Sequence, residues 1–384
     1  LTTRTLELLD RLVGFPTVSR DSNRALIDFV ADLLGRRGID CEIVGTPDGS
    51  KANLFATIGP AEVPGMLLSG HTDVVPVDGQ DWASDPFRLA VREGRAFGRG
   101  TADMKGFLAA ALALAERAAG ERLAMPLHLA FSHDEEVGCV GVRSLIGHLA
   151  RRAFEPRFCL VGEPTSMRVA TGHKGKIAAR ACAHGLAGHS ALAPKALNAI
   201  HLAADFVASL REAQARLAAS GRRDADYDVP YTTIHVGRIE GGTVLNIVPE
   251  RCALDFEIRN VSGDDPLAIL HALRAEAEAI AARERPRFAC AAIDVEVTNA
   301  YPALDTPPDA DVVAFVRSLT EEDATCKVAF GTEGGLFDEA FGVPTVVCGP
   351  GSMDQGHKPD EFVSLEQLAA ADRMMDRLLA AIRA

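Results

Sequence analysis

Four short apolar runs, residues 66–69, 127–131, 158–161 and 343–348, constrain this chain most. Each is too short for a helix, is bounded by Gly, Pro or polar residues, and reads as a buried strand. Helical periodicity lies around them. Leu6, Leu9, Leu12 and Val13 share one face, as do Ala25, Ile27, Phe29, Val30, Leu33 and Leu34. Gly35 and Gly38 end the second of these helices, and strand-like segments 41–44 and 53–58 follow. Residues 102–119 form an Ala- and Leu-rich helix between the runs that end at His71 and Phe131. Alternating strands and helices predict an α/β fold whose mainly parallel sheet is covered by helices on both faces.

The pattern changes after Lys174. A strand over 176–184, a helix over 196–218, strands over 231–239 and 252–258, a helix over 266–283 and a strand over 292–297 follow in order. That β-α-β-β-α-β series predicts a ferredoxin-like α+β domain. A helix over 311–320 and the strand over 343–348 then resume the first pattern. The expected organisation is therefore a discontinuous domain, residues 1–176 and 298–384, interrupted by a small domain, 177–297.

Composition excludes several partners. A length of 384 residues with 47% hydrophobic content can bury a large core, and a net charge of -13 argues against a nucleic-acid partner, which needs clustered Lys and Arg. No apolar run approaches membrane-spanning length, so no membrane partner is expected. The eight cysteines include no C-x-x-C pair and fall mostly within apolar stretches, as reduced core residues of a cytoplasmic protein would.

Histidines and acids follow the strand-like runs. His71 and Asp73 succeed the first, Glu135 and Glu136 the second, Glu163 the third and His357 the fourth, while Asp103 stands in the Gly-rich stretch 98–106. In an open α/β sheet, ligands bind beyond the carboxyl ends of the strands, where such residues converge. Taken singly, each has a plainer reading: a structural His beside an Asp, a helix N-cap at Asp103, a solvated turn at Glu135-Glu136. Together they are nitrogen and oxygen donors without cysteine. That set suits two divalent metal ions of a hydrolytic site, Zn²⁺ first, with Co²⁺ or Mn²⁺ as alternatives. His71 can meet a metal while Asp73 holds its other ring nitrogen. One acid of the Glu135-Glu136 pair can ligate while its neighbour serves as general base.

At this point the chain resembles the acetylornithine deacetylase, succinyl-diaminopimelate desuccinylase and aminoacylase family of co-catalytic metallohydrolases. The matching stretches are Ser69-Gly70-His71-Thr72-Asp73, residues 98–106, Asp134-Glu135-Glu136, Gly162-Glu163-Pro164, residues 185–194, Asn246-Ile247-Val248-Pro249 and residues 331–361. The resemblance implies that His71 and Glu163 bind one metal, Glu136 and His357 the other, and that Asp103 bridges them, with Glu135 as general base. It also implies a cis Asp103–Met104 peptide and a homodimer formed through the inserted domain. His189 would reach the partner's site to stabilise the oxyanion, and Asn246 and Arg259 would hold the substrate carboxylate, as an Arg fork can. Gly331, Thr332 and Glu333 would line the substrate site. The stretch 331–337 lacks the Arg of the desuccinylase branch, whereas Gly162-Glu163-Pro164-Thr165-Ser166, Gly349-Pro350-Gly351-Ser352 and residues 357–361 look like the acetylornithine deacetylase branch. Gly334-Gly335 departs from the Ala-Pro common there.

The expected activity is deacetylation of N2-acetyl-L-ornithine, a small-molecule N-acyl amino acid, by a metal-bridged hydroxide, as a step of arginine biosynthesis. The alternatives are an aminoacylase, a succinyl-diaminopimelate desuccinylase or a dipeptidase. From another class, a metal-dependent binding protein without catalysis would have lost a ligand or the base, and none is missing.

Overall fold

The computed structural model describes residues 3–152 and 154–384. The chain divides into two compact units, Leu1–His173 with Leu304–Ala384, and Lys174–Ala303.

The first unit is built on a mixed sheet. Its strands run in the order Cys41–Gly45, Ala52–Ile58, Leu127–Ser132, Met66–His71, Phe158–Val161, Thr345–Val347, Val169–His173, Leu304–Asp305, with Thr325–Val328 also paired to Val169–His173. The four middle strands, from Leu127–Ser132 to Thr345–Val347, are mutually parallel. They are buried along their whole length without alternation, because helices cover both faces. The sheet departs from the expected parallel order at its first edge. Cys41–Gly45 and Ala52–Ile58 pair antiparallel because the short loop 46–51 cannot make a parallel crossover.

Helix Gly106–Ala118 is the spine of this unit. Eleven of its residues, mostly Ala and Leu, are buried, and it packs in one core cluster with Leu8, Leu9 and Leu12 of helix Thr3–Val13 and with Met374, Met375 and Leu378 of helix Leu365–Ile382. The helix predicted from residue 102 begins at Gly106 instead. Asp103 and Met104 have non-helical backbone angles and are joined by a cis peptide bond; Lys105 holds the position before the helix, so Asp103 does not cap it. Gly100, at φ +82°, lets the chain turn there; a Cβ at that position would lie 2.7 Å from a Val74 methyl.

The second unit is a four-stranded antiparallel sheet in the order Thr233–Gly241, Arg251–Asn260, Gly175–His184, Ala292–Tyr301. Buried and less buried residues alternate along Gly175–His184 and Arg251–Asn260, so one face is covered and one is not. Helices Ala199–Ser220 and Pro266–Glu284 cover it with Leu202, Phe206, Leu210, Leu270 and Leu273. Asp265 starts the second helix by accepting from the backbone N–H groups of Leu267 and Ala268, with Pro266 at the first turn where its missing N–H costs nothing. Among the described residues no helix is long and apolar enough to cross a membrane, and all eight cysteines are free thiols.

Candidate metal centre

The parallel strands set the site. Met66–His71, Leu127–Ser132, Phe158–Val161 and Thr345–Val347 are neighbours pointing the same way, so the residues after their last positions meet at one edge. Two close approaches bring them there. A Cβ at Gly349 would lie 2.0 Å from the Gly162 carbonyl oxygen, and one at Gly162 would lie 2.0 Å from Phe107 Cγ. Glycine is the residue that lets these backbones pack so closely.

The structure brings His71, Asp103, Glu135, Glu136, Glu163 and His357 into one cluster. His71 Nε2 is 3.0 Å from Asp103 Oδ1 and 3.6 Å from Glu163 Oε1. His357 Nε2 is 3.1 Å from Asp103 Oδ2 and 3.0 Å from Glu136 Oε2. Asp103 thus offers one oxygen to each histidine. Donor atoms of His71, Glu135 and Glu163, and of His71, Asp103 and Glu136, lie within 4.8 Å of one another, close enough to hold a metal ion. His71, Asp103 and Glu163 are buried, while the His357 side chain is 45% exposed and forms the open wall.

Electrostatics agree with a cation site. Burial pushes the Glu135 carboxyl up to about 8 and, with the nearby Asp103 charge, the Glu136 carboxyl up to about 7. Burial raises Glu163 as well, against the pull of His71. Burial opposes ionisation of Asp103, but hydrogen bonds to His357 and His71 win and hold it below the usual carboxylate range. Hydrogen bonds to Asp103 and Glu136 take His357 up to about 10. Carboxyl groups this close cannot all ionise without positive charge among them. Glu136 Oε1 is moreover buried with no hydrogen-bond partner. An unpaired buried carboxylate oxygen within a set of N and O donors is what divalent cations satisfy, so the residues present fit a pair of them.

Asp73 acts differently from the sequence reading. His71 Nδ1 meets the Asp73 backbone carbonyl at 2.9 Å, and the Asp73 carboxylate stands off at 3.6 Å. That carboxylate accepts from Ser19 Oγ at 2.7 Å and from the backbone N–H groups of Glu135 and Glu136 at 3.1 and 3.3 Å. It therefore fixes the turn that carries both glutamates. The reading missed these contacts because backbone acceptors leave no trace in residue identity. Cys139 was also missed: its thiol donates to Glu135 Oε1 at 3.2 Å.

The stretch 331–333 lies inward. Thr332 and Glu333 are fully buried; Thr332 Oγ1 accepts from the Gly334 N–H, and the Glu333 carboxylate accepts from Ser69 Oγ at 2.9 Å and from Ser132 Oγ. Both Glu333 oxygens are thus spent on the two strands beneath the cluster. Gly331 is partly exposed.

The remaining candidates belong to the second unit. Gly188–His189 pairs antiparallel with Ile247–Val248, and the Ser190 N–H donates to the Asn246 carbonyl at 3.0 Å, so His189 and Asn246 share a small ribbon despite their distance along the chain. His189 is exposed, with Nδ1 accepting from the Ala191 N–H. Arg259 donates to the Tyr301 hydroxyl at 2.6 Å and pairs with Glu257 at 3.1 Å.

Comparison with known proteins agrees with this geometry. The family model described as peptidase family M20/M25/M40 matches residues 67–381. The chain is 34% identical over 384 residues to the acetylornithine deacetylase of Proteus mirabilis (strain HI4320), covering 97% of this chain and 95% of that protein. It is 33% identical over 383 residues to that of Pasteurella multocida (strain Pm70), covering 97% of each. Among solved structures, the M20 family metallo-carboxypeptidase Sso-CP2 from Sulfolobus solfataricus is similar with a TM-score of 0.81 at 18% identity, covering 98% of this chain and 99% of that one. The Bacillus subtilis YXEP protein, a dinuclear metal binding peptidase, is similar with a TM-score of 0.71 at 16% identity, covering 99% and 97%. At these identities the solved structures speak for the fold alone.

Proposed function

The chain belongs to peptidase family M20/M25/M40 and is a metallo-hydrolase acting on amide bonds, and from that premise we propose that it deacetylates N2-acetyl-L-ornithine to L-ornithine and acetate, a step that supplies arginine biosynthesis. The observation that carries the reading is the buried cluster in which Asp103 offers one oxygen to His71 and the other to His357, with Glu136 Oε1 unpaired beside it. The choice of substrate is supported by the name shared by the Proteus and Pasteurella relatives.

In this reading His71 and Glu163 would hold one cation and Glu136 and His357 a second, with Asp103, which offers an oxygen to each histidine, serving both; Zn²⁺ would suit the donors best. When bound, the cations would supply polarisation of the substrate carbonyl and acidification of water, and their charge would favour the ionised form of the Glu135 carboxyl that burial otherwise raises. Glu135 takes the proton of the attacking water and returns it to the departing amine. Asp73, through the Glu135 and Glu136 N–H groups, keeps base and ligand in register. Arg259, already oriented by Tyr301 and Glu257, binds the α-carboxylate of the substrate together with Asn246. His189 of a second copy stabilises the oxyanion. Exposed apolar side chains beside the His189 ribbon, Leu245 at 99%, Val244 at 55% and Ile247 at 46%, support a homodimer that covers them.

The test is an amine-release assay on N2-acetyl-L-ornithine, N-acetylmethionine, succinyl-diaminopimelate and a dipeptide, with Zn²⁺ or Co²⁺ restored. Acetylornithine should give the highest kcat/KM. A higher value for the succinylated substrate or the dipeptide would replace the proposal.

A further inference from the structure

We infer that Arg99 is a positioning residue that sets Asp103 and His357 together, working through Glu361 and Gln80. The inference rests on the ligand assignment proposed above. Arg99 is only 1% exposed and is among the largest fully buried side chains. One end of its guanidinium, Nη1, donates to Glu361 Oε2 at 2.6 Å. The other end, Nη2, donates to Gln80 Oε1 at 2.6 Å.

Each partner then passes the contact to the backbone of a proposed ligand. Glu361 Oε1 accepts from the N–H groups of Ala102 and Asp103 at 2.9 and 3.1 Å. Gln80 Nε2 donates to the His357 carbonyl at 3.1 Å. Nη1 also reaches the Lys358 carbonyl at 3.4 Å, and the guanidinium carbon lies 5.0 Å from the Trp82 ring. One planar fork therefore spans two loops that enter the site from chain positions more than 250 residues apart.

This arrangement does not pay for itself as a fold-stabilising device. A buried ion pair gains little over apolar packing, and Arg99 Nε remains buried with no partner. The fork geometry is what the site needs. His357 is the open member of the cluster, 45% exposed, so packing confines its ring less than it confines His71. The distance of 3.1 Å from His357 Nε2 to Asp103 Oδ2 depends on where the two backbones stand, and those are what the Arg99 network joins. Lysine cannot replace it, because a single ammonium lacks the planar pair of donors.

The experiment is a titration of chelator-stripped protein with Co²⁺ in competition with a chromophoric chelator, reading stoichiometry and the affinity of each equivalent. Wild type should take two equivalents. Gln80→Leu, which reaches only the His357 backbone, should weaken one equivalent by about 10- to 100-fold, the range typical when a partner behind a metal ligand is lost, and Arg99→Lys, which also reaches the Asp103 backbone shared by both sites, should weaken both. Gln80→Leu keeps the Arg99–Glu361 pair, so it answers the question even if Arg99→Lys fails to fold. Leu378→Ala, a core change in the C-terminal helix, controls for lost stability and should keep both equivalents. Two wild-type equivalents that persist at full affinity in folded Arg99→Lys and Gln80→Leu would overturn this inference alone. A wild-type chain that takes fewer than two overturns the ligand assignment and the inference with it.

Discussion

Gly162→Ala offers the sharpest test of how the centre is assembled. Gly162 links Val161, the last residue of its strand, to Glu163. A Cβ there would lie 2.0 Å from Phe107 Cγ and 2.1 and 2.3 Å from the two Cδ atoms. Unbonded carbons settle near 3.5–4.0 Å, so about 1.5 Å of movement must come from the ring or the strand. Phe107 is fully buried in helix Gly106–Ala118, which is itself enclosed by core on nearly every side, so the ring has little room to yield. Overpacking of this kind costs about 1–3 kcal/mol and more where the obstacle is rigid, so we expect about 3 kcal/mol or above. Urea unfolding at unchanged m-value measures it. Phe107→Ala alone should cost about 3–5 kcal/mol by opening a cavity. In the double variant the new methyl occupies part of that cavity, so the pair should cost at least about 2 kcal/mol less than the two singles together. A single Gly162→Ala within about 0.5 kcal/mol of wild type, or strict additivity in the double, refutes the packing argument.

Glu135→Gln should lower kcat by about 10²- to 10⁴-fold while metal content by elemental analysis stays at the wild-type level; retained turnover would take Glu135 out of the base role. Chelation should lower the midpoint of thermal unfolding and added Zn²⁺ restore it, since a ligand at 100 times its Kd stabilises by about 2.7 kcal/mol per site; a midpoint indifferent to chelator would contradict a structural hold on the cations. His128 gives a pH signature. Its ring contacts both Phe55 and Phe154, and burial, with the Arg152 charge, takes it down to about 4. A histidine depressed in the folded state costs nothing above its ordinary 6.5, where both states are neutral. As pH falls from 6.5 to 4 only the unfolded chain takes up the proton, so stability drops by up to about 3 kcal/mol and levels off below 4. His128→Phe should remove that component; an unchanged slope between pH 6.5 and 4 would assign it elsewhere.

Much of the fold can be read from periodicity. The continuous apolar runs at 66–69, 127–131 and 158–161 lie in central parallel strands, and the β-α-β-β-α-β series after Lys174 is present in the second unit. Helices Val142–Leu149, Gly334–Phe341 and Leu365–Ile382 and the small sheet of Ala90–Arg92, Arg95–Phe97 and Phe362–Ser364 are not in that reading. The small sheet's three-residue strands are too short to show a period. Asp103 shows a different limit. Its Ala-rich sequel reads as helix from residue 102, yet Glu361, far along the chain, ties up the Ala102 and Asp103 N–H groups, and the helix begins only at Gly106.

Sequence alone determined the central strands, the periodic helices and which donors stand at the strand ends, because apolar spacing and residue chemistry are properties of neighbours along the chain. Tertiary structure alone decided which atoms those donors face. Asp73 turned its carboxylate to the Glu135-Glu136 backbone and left its carbonyl to His71, Glu333 spent its oxygens on Ser69 and Ser132, and Arg99 joined the loops of Asp103 and His357. The physical reason is common to all three. Hydrogen bonds to backbone groups and between distant strands depend on strand order and approach, and side-chain identity does not encode either.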